Sequence, residues 1–238
     1  MSGYAGRGLH GQTVERIGSR IVGGHYQPGD TLFADELERE LDVSRTVVRE
    51  SLRVLAAKGL VESRQKRGTV VRPRQSWSLL DSDVLRWQGE SEPDFDFLEH
   101  LAEVRSVVEP AGARLAAQRR GDDDLAELDD ALAAMTAAGD DTDTTVAADV
   151  RFHRALLRAA HNPLLEQLDG VLGAGLQMRD RFVHNSRKPA DAIRAHRSLL
   201  EAIRDGDADL AAQTVEKLLT QSSRDLERAR RQAEQTSA

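Results

Sequence analysis

The hydrophobic period of this 238-residue chain changes near residue 60, and that change constrains its fold more than any other feature. Before it, apolar residues recur at helical spacing in three short segments, at 13–22, 32–41 and 44–58. After it, "LVESRQKRGTVVR" (60–72) has β-rich ends around a polar centre that contains Gly68, which predicts a two-stranded hairpin. Three short helices followed by a hairpin predict a winged helix-turn-helix.

The chain beyond residue 80 shows only helical patterns. Its amphipathic segments lie at 81–89, 95–120, 122–138, 143–160, 163–184, 189–205 and 207–233. Short loops between long amphipathic helices predict an antiparallel bundle. The predicted fold class is therefore mainly α, with an N-terminal winged helix-turn-helix domain at 1–74, a linker at 75–80 and a C-terminal all-helical antiparallel bundle at 81–238.

The composition excludes several classes of protein. The chain has no cysteine, so disulfides, thiolate metal sites and cysteine nucleophiles are excluded. No segment approaches the roughly 20 apolar residues that a membrane-spanning helix needs, and the N-terminal "MSGYAGRGLHGQTVERIG" contains no long apolar run. We therefore expect a soluble, cytoplasmic protein with no membrane partner.

The charge of the chain is divided unevenly along its length. The net charge is -7, yet residues 44–74 carry nine Lys and Arg against two acids. Such a basic block on an acidic protein is either a solvated helix face or a phosphate-binding footprint. The winged-helix pattern around it favours the second interpretation, with double-stranded operator DNA as the partner.

The residue types at the start of the third helix suit DNA recognition. In a winged helix-turn-helix this helix lies in the major groove, and its first residues reach base edges and phosphates. Arg49 lies one turn after Arg45 on the same face and can bind guanine or a phosphate. Glycine in the wing permits close approach of the backbone to DNA. The predicted DNA-binding residues are Ser44, Arg45, Thr46 and Arg49 in the helix, and Lys66, Arg67, Gly68 and Thr69 in the wing.

The segment "VSRTVVRESLRVLAAKGLVESRQKRGTVV", with the helical segment before it, resembles the GntR family of bacterial transcription regulators. The resemblance implies that Arg45, Thr46, Arg49 and Gly68 contact operator DNA. One position departs from the family, because relatives often carry a DNA-contacting arginine where this chain has Asp35. A carboxylate does not bind phosphate, so DNA contacts from the second helix are not carried over to this chain.

In the predicted bundle, "ADVRFHRALL" places Asp149 and His153 one helical turn apart on one face. Taken alone, such a pair is compatible with a metal site, with half of an acid–base catalytic site, or with a local hydrogen bond. The sequence has no HExxH motif, no paired general acid and base at a recognisable spacing, and no Ser or Cys nucleophile motif. A metal-dependent enzyme is therefore the remote alternative.

Three stretches of the bundle resemble the FadR-like, or FCD, subfamily of GntR regulators: "VRSVVEPAGARLAA", "ADVRFHRALLRAAHNPLLEQL" and "AHRSLLEAIRDGDADLA". Together, "WSLLDSDVLRW" and "HNPLLEQL" most resemble repressors of aldonate catabolism of the D-galactonate-responsive type. The resemblance implies a homodimer that presents two winged helices to a pseudo-palindromic operator. It also implies a repressor that an effector releases from DNA.

The same resemblance implies a metal site. Many FCD domains bind a divalent metal through an Asp and a His one turn apart and two histidines on later helices. Asp149, His153 and His196 match the first three ligands, whereas the last falls at Leu218, which cannot coordinate. Imidazole and carboxylate suit Zn, Ni, Mn or Fe, and the open positions suit water or an oxygen-rich effector. The alternatives are His184 as a substitute ligand and a metal-free pocket that binds the effector directly.

The expected effector is a small carboxylate, with a sugar acid as the leading class. Arg105 is the candidate anion anchor, because a guanidinium binds a carboxylate through two hydrogen bonds, and its alternative role is an exposed ion pair with Glu109. Asn162 either contacts the effector or caps the helix that begins at Pro163. The alternative effector is an acyl-CoA or an amino-acid derivative, bound without metal. The predicted effector-binding residues are Arg105, Asp149, His153, His196 and Asn162.

Overall fold

The computed structural model of the chain describes residues 8–64, 68–91, 94–139, 141–183 and 189–236. Within them the structure is helical apart from one small sheet. The chain divides into two compact units, Met1–Pro93 and Asp94–Ala238, and each contains an apolar core. In the described part of the chain, no helix combines the length and the apolar character that crossing a membrane requires.

The N-terminal unit is a winged helix-turn-helix, as predicted. Its helices are α1 (Leu9–Val22), α2 (Ala34–Leu41), α3 (Arg45–Ala57) and α4 (Ser82–Glu90), and a short 3-10 helix spans Arg74–Ser76. Its strands are β1 (Thr31–Leu32), β2 (Val61–Arg64) and β3 (Gly68–Val71). The apolar faces of these elements meet in one core, whose most buried members include Ile17, Val48, Leu55 and Leu60.

The wing belongs to a three-stranded antiparallel sheet rather than to the predicted two-stranded hairpin alone. Strand β3 lies between β1 and β2, with Thr31 opposite Val70 on the added edge. The helical pattern of the sequence predicts Leu32 in the second helix, whereas the structure places it in β1. A strand of two residues is too short for the alternation of apolar and polar residues that identifies strands.

Helix α4 packs within the N-terminal unit, although the sequence pattern predicts that the bundle domain begins at residue 81 and includes this helix. The Trp87 ring lies against α1 at Gly18, where a Cβ would approach the ring to 2.3 Å. Lys58 Nζ, at the end of α3, lies 2.9 Å from Asp81 Oδ1 and 2.7 Å from Asp83 Oδ2. The linker predicted at 75–80 therefore lies inside this unit. The amphipathic pattern of α4 predicts a buried face but does not say which unit covers it.

The C-terminal unit is an all-helical bundle. Its helices are α5 (Phe95–Arg119), α6 (Asp122–Ala137), α7 (Thr142–Ala159), α8 (Pro163–Val183), α9 (Pro189–Asp205) and α10 (Ala208–Thr236), which agree with the predicted bounds to within a few residues. Phe152 and Leu156 of α7 are fully buried in its main core. Two polar residues of α7, Asp149 and His153, are buried as well, so this helix carries polar side chains into the interior.

Candidate functional site

Three buried side chains of the C-terminal unit converge on one point. Asp149 and His153 come from α7, and His196 comes from α9. His196 Nε2 lies 3.2 Å from Asp149 Oδ1, and His153 Nε2 lies 3.8 Å from Asp149 Oδ2. One ligand atom from each residue lies within 4.8 Å of the others. The spacing of one turn brings the first two together, and the packing of α9 supplies the third.

The second ring nitrogen of each histidine lies against another group. His196 Nδ1 and the backbone oxygen of Ala192 are 2.8 Å apart in a hydrogen bond, in which the nitrogen donates because a carbonyl only accepts. His153 Nδ1 lies 2.9 Å from Glu109 Oε2. Backbone carbonyls and carboxylates in these positions orient the imidazoles of metal sites and make them more basic.

The arrangement fits a divalent metal ion. His196 Nε2 is buried, and although it lies 3.2 Å from Asp149 Oδ1, the two atoms do not have the geometry of a good hydrogen bond, which is costly for a polar atom in the interior. Two imidazoles and one carboxylate form a ligand set that Zn, Ni, Mn and Fe accept. A cation among them would be coordinated by His196 Nε2 and would balance the charge of Asp149.

The carboxylates of Glu109 and Asp149 are both held in the ionised form. Burial raises the pKa of Glu109, but the interactions with Arg105 and His153 outweigh burial and bring this pKa down to about 2. Burial likewise raises the pKa of Asp149, but the two neighbouring histidines bring it well below its ordinary value. An ionised carboxylate is the form that coordinates a metal.

No pattern in the sequence marks Glu109 as a partner of His153. The sequence offers the ion pair of Arg105 and Glu109 only as an exposed alternative to anion binding, whereas the structure forms this pair in the interior. Arg105 is 4% exposed and Glu109 is 0% exposed, and Arg105 Nη2 lies 3.3 Å from Glu109 Oε2. The one signal in the sequence is the spacing of one turn, which shows that the two side chains meet but not that they are buried.

A small cavity lies between α5, α8 and α10, and Arg105 lines it together with Arg179 and Ser222. Arg179 is buried and donates a hydrogen bond to Ser222 Oγ; sequence analysis identified neither residue. The space in this cavity is about 10 Å³, or about one water molecule. The helices approach closely at Gly175, where a Cβ would reach 1.6 Å from Leu101.

The other predicted residues of the bundle lie elsewhere. Asn162 Oδ1 accepts a hydrogen bond from the backbone N–H of Leu164 at 3.0 Å, which is a helix-capping contact. Leu218 is buried in the apolar core and supplies no ligand. His184 lies outside the described residues. The structure thus brings together Asp149, His153 and His196, and Glu109 connects them to Arg105.

The predicted DNA-binding residues of α3 lie on its exposed N-terminal part. Ser44 caps the helix by accepting a hydrogen bond from the backbone N–H of Val47 at 3.4 Å. Arg45, Thr46 and Arg49 are exposed. The opposite face of α3 packs into the core. An exposed first turn is the part of a recognition helix that enters the major groove.

Two of the four predicted DNA-binding residues of the wing, Gly68 and Thr69, lie in the described part of the chain. Gly68 begins β3 with φ +90°, a conformation that favours glycine, and Thr69 lies opposite Ser63 across the hairpin. Lys66 and Arg67 lie outside the described residues. The backbone conformation at position 68 therefore favours glycine by itself, whether or not this residue contacts DNA.

Each unit of the chain matches a known protein family. Residues 9–71 match the family described as bacterial regulatory proteins, gntR family, and residues 100–221 match the FCD domain. The chain belongs to the GntR family. This GntR protein is a DNA-binding transcription regulator of the FadR type, and the matched families are families of regulators rather than of enzymes.

Curated relatives of this GntR regulator match it over long stretches. The galactonate operon transcriptional repressor of Escherichia coli (strain K12) is 38% identical over 217 residues, which cover 90% of this chain and 94% of the relative. The HTH-type transcriptional regulator LutR of Bacillus subtilis (strain 168) is 36% identical over 151 residues, which cover 62% of this chain and 66% of that protein. These matches confirm the predicted family.

A solved structure has the same fold. The regulator Lar, which controls the expression of the Listeria monocytogenes agr system, matches with a TM-score of 0.68 at 20% identity. The match covers 93% of this chain and 98% of that one. At this identity the likeness concerns the fold alone, and it agrees with the predicted winged helix followed by a helical domain.

Proposed function

We propose that this GntR regulator represses a sugar-acid (aldonate) catabolic operon and that its effector releases it from operator DNA. The observation that carries the proposal is the buried cluster of Asp149, His153 and His196 in a chain 38% identical to a galactonate operon repressor. An aldonate carries a carboxylate beside a hydroxyl, and both are oxygen ligands that complete the coordination of such a metal.

In this proposal Asp149, His153 and His196 hold a divalent Zn, Ni, Mn or Fe ion. Leu218 occupies the position of a fourth ligand in related FCD domains, so the protein supplies three ligands and leaves the rest to water or effector. The chemistry supplied by the bound metal is the binding of oxygen ligands. Glu109 keeps the His153 ring oriented towards it.

The buried guanidiniums of Arg105 and Arg179 support the proposal that the effector is an anion. Both guanidiniums line the cavity between α5, α8 and α10, where a carboxylate gains charge-assisted hydrogen bonds. Arg105 already binds Glu109, so the effector carboxylate shares this guanidinium with the protein. The capping contact of Asn162 does not support its role in effector binding, and we retain the cluster and Arg105 as the effector-binding residues.

The size of the cavity supports a coupling between effector binding and a movement of helices. Its space of about 10 Å³ is too small for a sugar acid, so binding requires α5, α8 and α10 to move apart. The tight contact between Gly175 and Leu101 is one that must loosen. The effector then biases DNA binding through the difference in its affinity for the DNA-bound and free states.

We propose a cytoplasmic homodimer as the form that binds DNA. Val104 and Val107 are 45% and 73% exposed and lie three positions apart on α5, and we propose that they belong to the apolar surface on which the two copies meet. Two copies present two α3 helices to the half-sites of a pseudo-palindromic operator. Arg45, Thr46 and Arg49 contact base edges and phosphates in each half-site.

A thermal-shift screen of aldonates, each with and without EDTA, tests the proposal. We expect at least one aldonate to raise the Tm of the metal-loaded protein by several degrees and to weaken its binding to operator DNA, and we expect EDTA to remove both effects. If no aldonate raises the Tm, the sugar-acid assignment is wrong. A response to an acyl-CoA or an amino-acid derivative that survives EDTA would support the metal-free alternative.

A further inference from the structure

We propose that Asp35 is a positioning residue for DNA sequence recognition: its carboxylate orients the Arg45 guanidinium towards one base pair of the operator. The inference rests on the proposed contact between Arg45 and DNA. It concerns an exposed acid in the first turn of α2.

The two residues form an ion pair across the turn of the helix-turn-helix. Asp35 lies in the first turn of α2, and Arg45 is the first residue of α3. Arg45 Nη2 lies 3.2 Å from Asp35 Oδ1. Between the helices, Asp42 takes the left-handed conformation with φ 53°, which ends α2 and brings the start of α3 back beside the start of α2.

The ion pair lies on the surface that we propose to face DNA. The Arg45 and Asp35 side chains are 63% and 68% exposed, and ion pairs this exposed contribute little to the stability of the fold. Stability therefore does not account for the pair. The first residue of a recognition helix, in contrast, is where base edges are contacted.

The chemistry of the guanidinium permits a shared role. Arginine has five N–H donors in a rigid plane, so a carboxylate paired with one edge of the guanidinium leaves other donors for O6 and N7 of guanine. A carboxylate beside the guanidinium biases the Arg45 side chain towards one orientation, so the side chain loses less conformational freedom when it binds. Asp35 thus favours the arrangement in which Arg45 binds a guanine over one in which it binds a phosphate.

The charge of Asp35 predicts opposite effects on two measurable quantities. Its carboxylate repels the DNA backbone, so its removal strengthens binding to DNA of unrelated sequence. Its removal also frees Arg45 to reach phosphates, so discrimination at the base pair that Arg45 contacts decreases. A purely structural role in α2 does not produce this combination, because a loss of folded protein weakens both kinds of binding.

The test uses the full-length protein and four variants, Asp35→Asn, Arg45→Ala, the double variant and Glu36→Gln. Glu36 is the matched control, since it is also an exposed acid in the first turn of α2. Each protein selects sites from a randomised duplex pool, and its affinity is then measured for the preferred wild-type site, for that site with single base changes, and for a scrambled duplex. Thermal unfolding of each variant establishes that it is folded.

We expect Asp35→Asn to lower discrimination at one base pair in each half-site by about tenfold and to bind the scrambled duplex more tightly, while Glu36→Gln retains the wild-type base preference. In the Arg45→Ala background, Asp35→Asn should cause no further loss of discrimination. If the loss persists there, Asp35 contacts DNA itself and the positioning role is wrong. If Arg45→Ala loses discrimination and Asp35→Asn retains it, the inference is wrong and the proposed Arg45 contact stands. If Arg45→Ala retains it too, that contact is wrong as well.

Discussion

Glu109 Oε2 on α5 lies 2.9 Å from His153 Nδ1 on α7, and both side chains are buried. This contact joins two parts of the site that the sequence presents separately, the histidine of the candidate metal site and the ion pair formed by Arg105. The charge of the carboxylate favours a ring that donates from Nδ1 and keeps Nε2 for a metal. A substitution at Glu109 therefore tests whether the network serves the cluster.

Glu109→Gln keeps the shape of the side chain and removes its charge. We expect the affinity for Zn or Mn to decrease by about 10- to 100-fold, because the imidazole loses the carboxylate that orients it and makes it more basic. Metal titration in competition with a chromogenic chelator measures the change. Glu103→Gln on the exposed side of α5 is the control, and an unchanged metal Kd in Glu109→Gln would contradict the role of this contact.

His196→Ala removes the ligand contributed by α9. We expect the purified protein to lose its bound metal and its response to the effector, while operator binding is retained, because α3 lies in the other unit of the chain. Metal analysis and an electrophoretic mobility shift assay measure the two properties. His161→Ala, which alters an exposed histidine paired with Asp124, should change neither, and an inducible His196→Ala protein would refute the pocket.

Arg49→Ala tests the proposed DNA surface. We expect operator affinity to decrease about tenfold and the salt dependence to weaken by about one unit of slope for each half-site, as for the loss of one cationic contact. Arg53→Ala is the control, since Arg53 is exposed on the same helix and paired with Glu50 at 2.6 Å. Equal losses in the two variants would show that the general charge of α3, rather than a contact of Arg49, supports binding.

Gly18→Ala tests the packing of α4 in the N-terminal unit. A Cβ at this position would lie 2.3 Å from the buried Trp87 ring, so we expect a loss of stability of about 1–3 kcal/mol from overpacking. Thermal unfolding followed by tryptophan fluorescence reports on it. Gly170→Ala adds the same methyl group where no atom lies within 4 Å and should be neutral or stabilising; similar Tm values for both variants would argue against this packing.

Val107→Asp tests the proposed dimer surface on α5. Val107 is 73% exposed, so the substitution should leave the fold intact, and a charge in an apolar interface should raise the dimer dissociation constant at least about tenfold. Light scattering after size-exclusion chromatography measures the mass. Leu164→Asp, at a 77% exposed leucine of α8, is the control, and a dimer that persists in Val107→Asp would place the interface elsewhere.

Local patterns in the sequence determined most of the elements and part of each site. The bounds of the bundle helices, the recognition helix and the hairpin follow from hydrophobic period and capping residues, which act within a few residues. The pairing of Asp149 with His153 likewise follows from a spacing of one turn. The resemblance to FCD domains added His196.

Tertiary structure decided what depends on contacts between distant segments. It placed α4 with the N-terminal unit through Trp87 and Gly18, added β1 to the wing, and buried Glu109 against His153, which is 44 positions further along the chain by residue number. A pattern shows that a helix has an inward face, but the neighbour that covers this face is chosen by the packing of whole elements. For that reason the sequence and its resemblance predict the three residues of the cluster, and only the fold identifies the groups that contact them.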